Sequence, residues 1–100
     1  MFDGLSIMTS FFAEFVHTDS GVTCSESGFR DLSTEEECSG AVDYAKSFNS
    51  NANYRYALSS SFAFKGCYIA GSGKMYFNTH STGGSCSSCT SICMKGNTYF

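Results

Sequence analysis

The segment "CYIAGSGKMYFN", residues 67–78, decides how this chain is organised. It contains two short runs of aromatic and apolar residues, 67–70 and 74–78, separated by Gly71-Ser72-Gly73. Aromatic and β-branched residues favour strands, and a short glycine-containing loop between two such runs is typical of a β-hairpin. The segment therefore predicts two antiparallel strands, around which we expect the rest of the chain to pack.

Alternating residues on both sides of the hairpin predict further strands. Tyr54, Tyr56 and Leu58 recur at every second position, the period of a strand with one buried face. Phe62 and Phe64 predict another strand, and residues 92–95 predict a last short one. We therefore expect an antiparallel sheet.

Residues 34–48 carry the clearest helix pattern. Ser33 or Thr34 can cap it, because each is followed three residues later by a glutamate, the pattern of a capping box. The three glutamates at 35–37 then lie in the first turn, where the helix dipole favours negative charge. The residues that follow at the spacing of one helix face are Cys38, Ala41, Val42, Ala45 and Phe48. The segment predicts one main helix packed on the sheet.

Six cysteines in 100 residues indicate a disulfide framework and therefore an oxidising compartment. They are Cys24, Cys38, Cys67, Cys86, Cys89 and Cys93. Three bridges among six cysteines allow fifteen connectivities, which the sequence leaves open. The N-terminal residues have polar breaks and an acidic start that do not fit a signal peptide, so we interpret the chain as a mature secreted protein.

The N-terminal segment 1–20 precedes the first cysteine and is unusually apolar. Asp3 can cap a helix there, although a strand remains open, and the run is too short and interrupted to span a membrane. We expect this arm to pack either on its own core or on another subunit. Its candidate assembly residues are Leu5, Ile7, Met8, Phe11, Phe12, Phe15 and Val16.

The charge of the chain argues against two classes of partner. Its net charge is −3, and its six Lys and Arg residues are scattered singly along the sequence. Nucleic-acid and anionic-lipid surfaces are bound by clustered cations. We therefore expect neither partner.

The cysteines and histidines could in principle form a metal site, a redox pair or part of a hydrolase active site. A metal site would use Cys86 and Cys89 with Cys93, Cys67 or His80, but the second close ligand pair of a structural zinc site is missing. A redox CxxC pair is usually at a helix start, whereas this pair lies in a Ser/Gly loop. No Gly-x-Ser-x-Gly elbow supports a serine hydrolase. We expect no enzyme, no cofactor and no metal.

Polar loop residues beside tyrosines suggest carbohydrate binding through hydrogen bonds and ring stacking. The candidate residues are Tyr54, Arg55, Tyr56, Tyr76, Asn78 and His80, with Tyr68 as a further ring. The same rings are also explained as sheet core or cross-strand pairs.

The span 24–93 resembles a cysteine-rich module found in extracellular, often repetitive proteins of algae and other protists. The likeness is carried by Cys24, "EECSGAVDYA", "KGCY", "MYFNTHSTGGSC" and "SIC". More distantly, it resembles the apple/PAN arrangement of one helix on an antiparallel sheet. The resemblance implies disulfide bonds at Cys24, Cys38, Cys67, Cys86 and Cys93. This chain departs from the module at two places. It has Phe64-Lys65 where the module usually has a proline, and Cys89 looks additional.

These observations together predict a small disulfide-rich α+β domain, with one main helix on an antiparallel sheet at 21–100 and an apolar arm at 1–20. We expect an extracellular structural subunit that assembles with copies of itself into a filament, coat or appendage through the arm. Such a head-to-tail contact generates open fibres. The alternative is a secreted carbohydrate-binding module.

Overall fold

The computed structural model describes residues 15–95. Their backbone forms a six-stranded sheet with two short helices. The strands are β1 (Phe15–His17), β2 (Arg30–Asp31), β3 (Asn53–Leu58), β4 (Gly66–Ala70), β5 (Lys74–Asn78) and β6 (Cys89–Met94); the helices are α1 (Glu35–Gly40) and α2 (Val42–Ala45), and one 3-10 turn covers Ser25–Ser27. A small disulfide-rich domain is thus confirmed, but the sheet rather than a main helix dominates it.

The predicted hairpin is present as β4 and β5, which pair antiparallel with Gly66 opposite Asn78 and Ile69 opposite Met75. Gly73 closes the turn with φ of 101°, a left-handed conformation that side chains rarely adopt. A Cβ at this position would lie 2.5 Å from the backbone oxygen of Asn51. Glycine is therefore required both by the turn and by the loop that packs on it.

The sheet is mixed, and the prediction of a purely antiparallel sheet is wrong. Its strand order is β1-β6-β4-β5-β3, and β3 runs parallel to β5 with a bulge between Tyr54 and Tyr56. Strands β3 and β4 run in opposite directions, and β5, the second strand of the hairpin, inserts between them. Because β5 is antiparallel to β4, it is necessarily parallel to β3.

Strand β6 joins the two ends of the chain to the hairpin. It pairs with β1 along one edge, with Phe15 opposite Met94. Along its other edge it pairs first with β4 and then with β2, where Asp31 lies opposite Cys93. Residues 15–17, which the sequence placed in the arm, therefore form an edge strand of the sheet.

The helical segment is shorter and broken. Thr34 caps α1 and forms the predicted capping box with Glu37. The backbone then changes direction at Ala41, with φ −90° and ψ 3°, so that residues 34–48 form two short helices instead of one. Glycine is a poor helix former, and Gly40 directly precedes this break. Phe48 lies beyond α2 and is partly exposed.

The strand predicted at Phe62 and Phe64 is absent, because residues 59–65 form a loop. Phe64 is buried, whereas Phe62 has 85% of its surface exposed. Residues two apart on a strand share a face, so the prediction that both rings lie on one face is also wrong.

Two apolar clusters lie on opposite faces of the sheet. The larger one, under the helices, consists of Leu32, Cys38, Ala41, Ala45, Ala52, Cys67, Ile69, Met75, Phe77, Ile92 and Met94. The smaller one consists of Ala63, Phe64, Tyr68 and Cys89, with Tyr76 and Cys86 packed against it. Small side chains at 38, 41 and 45 allow the helices to lie close to the sheet.

All six cysteines form disulfides. Cys24 bonds to Cys93, Cys38 to Cys67, and Cys86 to Cys89. The first bridge attaches the segment before β2 to β6, the second attaches α1 to β4, and the third closes the turn that leads into β6. The segment before β2 and helix α1 are therefore covalently tied to the sheet.

Candidate functional site

Three tyrosines lie in register across the face of the sheet that the helices leave uncovered. Tyr56 on β3 is opposite Tyr76 on β5, and Tyr76 is opposite Tyr68 on β4. The ring centroids are 5.2 Å apart for the first pair and 5.5 Å apart for the second. We call Tyr56, Tyr76 and Tyr68 the tyrosine row.

Exposure rises along the tyrosine row towards the edge of the sheet. Tyr68 is buried with 6% of its surface exposed, Tyr76 is half-buried, and Tyr56 is 54% exposed. Phe64 and the Cys86–Cys89 bridge pack on the inner end of the row. The inner ring is therefore part of a core, while the outer ring offers its surface to solvent on a rigid strand.

The hydroxyl groups of the row are available for hydrogen bonding. Among residues 15–95, the tyrosine hydroxyls that bond to other side chains are those of Tyr44 and Tyr54, and neither belongs to the row. Burial raises the pKa of Tyr68, with smaller contributions from the hydroxyls of Tyr76 and Tyr56, which indicates that the three groups lie near one another. A tyrosine hydroxyl can both donate and accept a hydrogen bond.

Two of the other candidate residues point to different parts of the molecule. Tyr54 packs with the larger core, and its hydroxyl donates to Glu35 Oε2 at 2.7 Å. Burial, and then the hydrogen bond to Glu35, raises the pKa of Tyr54. Arg55 is exposed at the bulge of β3. The structure does not bring Tyr54 to the tyrosine row, although it is only two residues from Tyr56.

Asn78 has a structural role. Its side chain is 1% exposed, and Nδ2 donates to the carbonyl oxygens of Ser60, Ala63 and Phe64 at 2.9, 3.1 and 3.0 Å. Its Oδ1 accepts from the amides of Ser60 and His80. The carboxamide thus replaces backbone pairing for the loop 59–65 and has little capacity left for a ligand.

His80 also holds a loop in place, but only one of its two ring nitrogens is used for this. Nδ1 accepts from the backbone amides of Gly83 at 2.9 Å and Thr82 at 3.2 Å. A ring nitrogen that accepts carries no proton, so the proton of the neutral ring lies on Nε2. His80 can therefore still donate one hydrogen bond to a ligand.

A cleft of about 750 Å³ lies near His80, between β2 and the end of β5. Its lining is Arg30, Asp31, Leu32, Ser33, Lys65, Gly66, Phe77, Asn78, Thr79, His80 and Ser81. Of these residues, only Asn78 and His80 are predicted from the sequence to contact a ligand. Arg30 and Lys65 are far apart in sequence and meet only because β2 lies in line with β4, so no local pattern could have revealed the cleft.

Two of the candidate assembly residues lie in the described part of the chain. Phe15 and Val16 form part of β1, and the ring of Phe15 lies 5.9 Å from that of Tyr44. Leu5, Ile7, Met8, Phe11 and Phe12 lie outside the described residues. Strands β1 and β3 are the two ends of the strand order, so each has one edge without a partner among residues 15–95.

Within residues 15–95, no helix is long and apolar enough to cross a membrane. The same residues contain no group of three or more His, Cys, Asp or Glu side chains placed to hold a metal ion, and the cysteines considered as ligands are disulfide-bonded. No protein-family model, curated protein or solved structure matches this chain.

Proposed function

We propose that this protein is a secreted carbohydrate-binding domain whose ligand packs on the tyrosine row. The single observation that carries the proposal is the exposed ring of Tyr56, held edge to face against Tyr76 on a rigid strand. A ring with one polar end and an open apolar face suits a sugar, which combines a C–H surface with hydroxyl groups. The three row hydroxyls would supply the polar contacts.

Polar side chains beside the tyrosine row, on the same face of the sheet, also support sugar binding. Side chains two residues apart on a strand share a face, so Lys74 lies beside Tyr76 on β5. Asn53 lies opposite Lys74 in the register of β3 and β5. An ammonium and a carboxamide beside an aromatic ring are donors for the ring oxygens and hydroxyls of a sugar. Ligand sites commonly combine apolar surface with a few such polar groups.

The disulfides agree with the proposed location. Three bridges in a small domain are consistent with an extracellular protein, since such bonds persist in oxidising compartments. A domain that binds sugars outside the cell and carries out no catalysis would need a stable scaffold and an exposed contact face. Both requirements are met by a sheet with one face covered by helices and the other bearing the row.

The test is a glycan array probed with the wild-type chain and two variants. Tyr56→Ala removes the exposed ring of the row, and Phe48→Ala removes a partly exposed ring from the helix side of the sheet. We expect saturable binding to at least one glycan by the wild type and by Phe48→Ala, and loss of that signal for Tyr56→Ala. Binding that survives Tyr56→Ala, or a folded monomer silent on the array, would reject the proposal.

A second candidate function is self-assembly into an extracellular filament or coat. The observation that favours it is the position of β1: the apolar arm leads directly into an edge strand, and β3 is the opposite edge. Edge strands offer unpaired backbone groups to an added strand; β3 carries no proline, but its Arg55 and its bulge are features that oppose pairing. The arm of one copy added to β3 of the next would give an open, head-to-tail polymer.

The structure refines the test of this second candidate. A deletion of residues 1–14 removes the arm and leaves β1 intact, whereas a longer deletion would remove part of the sheet. We expect the full chain to form particles much heavier than one copy in light scattering, and the truncated chain to be a monomer. A monomeric full chain, or polymers of the truncated one, would reject assembly through the arm without bearing on sugar binding.

A further inference from the structure

The cleft beside His80 opens where β2 ends and β4 begins. Asp31, the last residue of β2, lies next to Gly66, the first of β4. Gly66 has φ of 80°, and a Cβ there would approach the Cβ of Asp31 to 3.3 Å. A smaller cavity of about 360 Å³ shares Asp31, Lys65 and Ser81 with the main cleft. Asp31 and Lys65 therefore lie at the centre of one continuous concave surface.

No group among residues 15–95 uses the carboxylate of Asp31 as an acceptor. Asp31 is half-buried, and within residues 15–95 its carboxylate neither accepts a hydrogen bond nor forms an ion pair. Burial raises its pKa, and the charge of Lys65 opposes that rise. Burial thus disfavours the ionised form of Asp31, while its carboxylate lines the cleft, where it can accept a hydrogen bond from a ligand.

Donor groups surround this carboxylate. Lys65 and Arg30 are two of only six Lys and Arg residues in an acidic chain, and both line the cleft with exposed side chains. His80 adds the N–H group at Nε2, because its Nδ1 accepts two hydrogen bonds from the backbone. The hydroxyl of Ser81 also lines the surface, whereas those of Ser33 and Thr79, which line it too, donate to Glu37 Oε1 and to the carbonyl oxygen of Leu58. With Asp31 ionised and His80 neutral, the cleft carries one net positive charge.

We infer that this cleft binds an acidic sugar, a polyhydroxylated ring that bears one carboxylate. Lys65 and Arg30 would hold the carboxylate by charge-assisted hydrogen bonds, Asp31 would accept from ring hydroxyls, and His80 would donate to a ring oxygen. A simple anion would leave Asp31 unused and repelled, and a neutral sugar would leave the net positive charge unmatched. The inference concerns a different surface from the tyrosine row and does not depend on it.

Heteronuclear NMR of the full chain, titrated with free D-glucuronate, tests the site directly. Glucose serves as the control that lacks the carboxylate, and acetate as the control that lacks the hydroxyls. We expect saturable amide shifts at Asp31, Lys65 and His80 with glucuronate, and clearly weaker binding of both controls. Shifts with acetate as strong as with glucuronate would indicate an anion site only. Equal shifts with glucose, or none with glucuronate, would likewise overturn the inference.

Two substitutions of equal charge change separate the cleft from a general charge effect. Lys65→Gln removes a cation that lines the cleft, and Lys46→Gln removes one beside α2 that does not. We expect Lys65→Gln to weaken glucuronate binding at least roughly tenfold, the loss of one charge-assisted hydrogen bond, and Lys46→Gln to leave it unchanged. Equal weakening by both variants would contradict a site at Lys65. Loss of array binding by Tyr56→Ala with glucuronate binding intact would show that the two surfaces act separately.

Discussion

Tyr76 lies directly opposite Tyr56 in the parallel pair formed by β5 and β3, with the two ring centroids 5.2 Å apart and the ring planes at 68°. The half-buried ring thus supports the exposed one from the side. Aromatic pairs in this geometry contribute about 0.5–1.5 kcal/mol beyond the area that they bury. The orientation of Tyr56 is therefore set by the sheet and does not depend on a ligand.

This contact predicts different outcomes for two substitutions at Tyr76. Tyr76→Phe keeps the supporting ring and removes one hydroxyl, so we expect affinity for the bound glycan to fall by roughly three- to tenfold, the value of one hydrogen bond. Tyr76→Ala also removes the support of Tyr56 and should weaken binding further. Isothermal titration with the strongest array ligand measures both. Equal affinity of the two variants would show that the ring of Tyr76 does not position Tyr56.

The three disulfides should differ in their contribution to stability. They join residues 69, 29 and 3 positions apart for Cys24–Cys93, Cys38–Cys67 and Cys86–Cys89. Because the entropy removed from the unfolded chain grows with loop length, removing each pair should cost about 4.4, 3.6 and 1.9 kcal/mol, respectively. Urea denaturation of the three double Cys→Ser variants tests the order. A Cys86/Cys89 variant less stable than the Cys24/Cys93 variant would contradict it.

Asn78 should be essential for the loop that covers the tyrosine row. Asn78→Asp keeps the shape of the side chain but replaces the donor that serves three carbonyl oxygens by a charged acceptor. We expect a loss of at least about 2–3 kcal/mol in the free energy of unfolding, because buried carbonyls lose their partners and a charge is buried. Thr79→Ser, which keeps the hydroxyl that donates to Leu58, provides a control at an exposed neighbouring position. Hydrogen exchange should show faster opening of residues 59–65 in Asn78→Asp alone; unchanged exchange would contradict this role.

Asp31→Asn should make the protein more stable near neutral pH. Because burial raises the pKa of Asp31, the folded state disfavours the ionised form, despite the nearby cations Lys65 and Arg30 and the neutral His80. In the wild type, this group contributes stability below its ordinary pKa of 3.8, and the contribution is lost as the pH rises through the raised value. The variant has no carboxyl group to ionise at this position, so its stability does not fall in this way as the pH rises.

Thermal unfolding of the wild type and Asp31→Asn at several pH values checks this prediction. We expect a higher melting temperature for the variant near pH 7, with the difference shrinking as the pH falls towards 3.8, the ordinary pKa of Asp31, and changing no further below it. The same variant should bind glucuronate more weakly. A variant less stable than the wild type near pH 7 would mean that Asp31 stabilises the fold, and its retention could then be explained without a ligand.

The sequence predicted the local elements well where one short-range signal decided them. The hairpin of β4 and β5 follows from Gly71-Ser72-Gly73 between two aromatic runs, and the start of α1 follows from Thr34 and Glu37. The parallel pairing of β3 could not be predicted in the same way, because alternation at Tyr54 and Tyr56 reports a half-buried strand but not the direction of its partner. The two-residue strand β2 has too few positions for any period.

The candidate site was predicted only in part, because several of its contacts join residues that are distant in the sequence. Tyr56 and Tyr76 were both identified as possible sugar contacts, and the sheet places them side by side. Tyr54, on the same strand, packs into the opposite core, since the bulge at Arg55 alters the alternation. Asn78 looked like a polar ligand residue, yet its amide is used by loop carbonyls that only the folded chain brings near it. Such assignments depend on non-local contacts.

The most direct test of the central proposal is the affinity of Tyr56→Ala for the glycan that the wild-type chain binds best on the array. Tyr56 is 54% exposed, so its removal should leave the fold intact and lower the melting temperature only by the loss of its ring contact with Tyr76. If the tyrosine row is the binding surface, titration should show affinity reduced at least about tenfold, as for a central aromatic contact, with Phe48→Ala equal to wild type. Wild-type affinity in Tyr56→Ala would show that the row is not the binding surface.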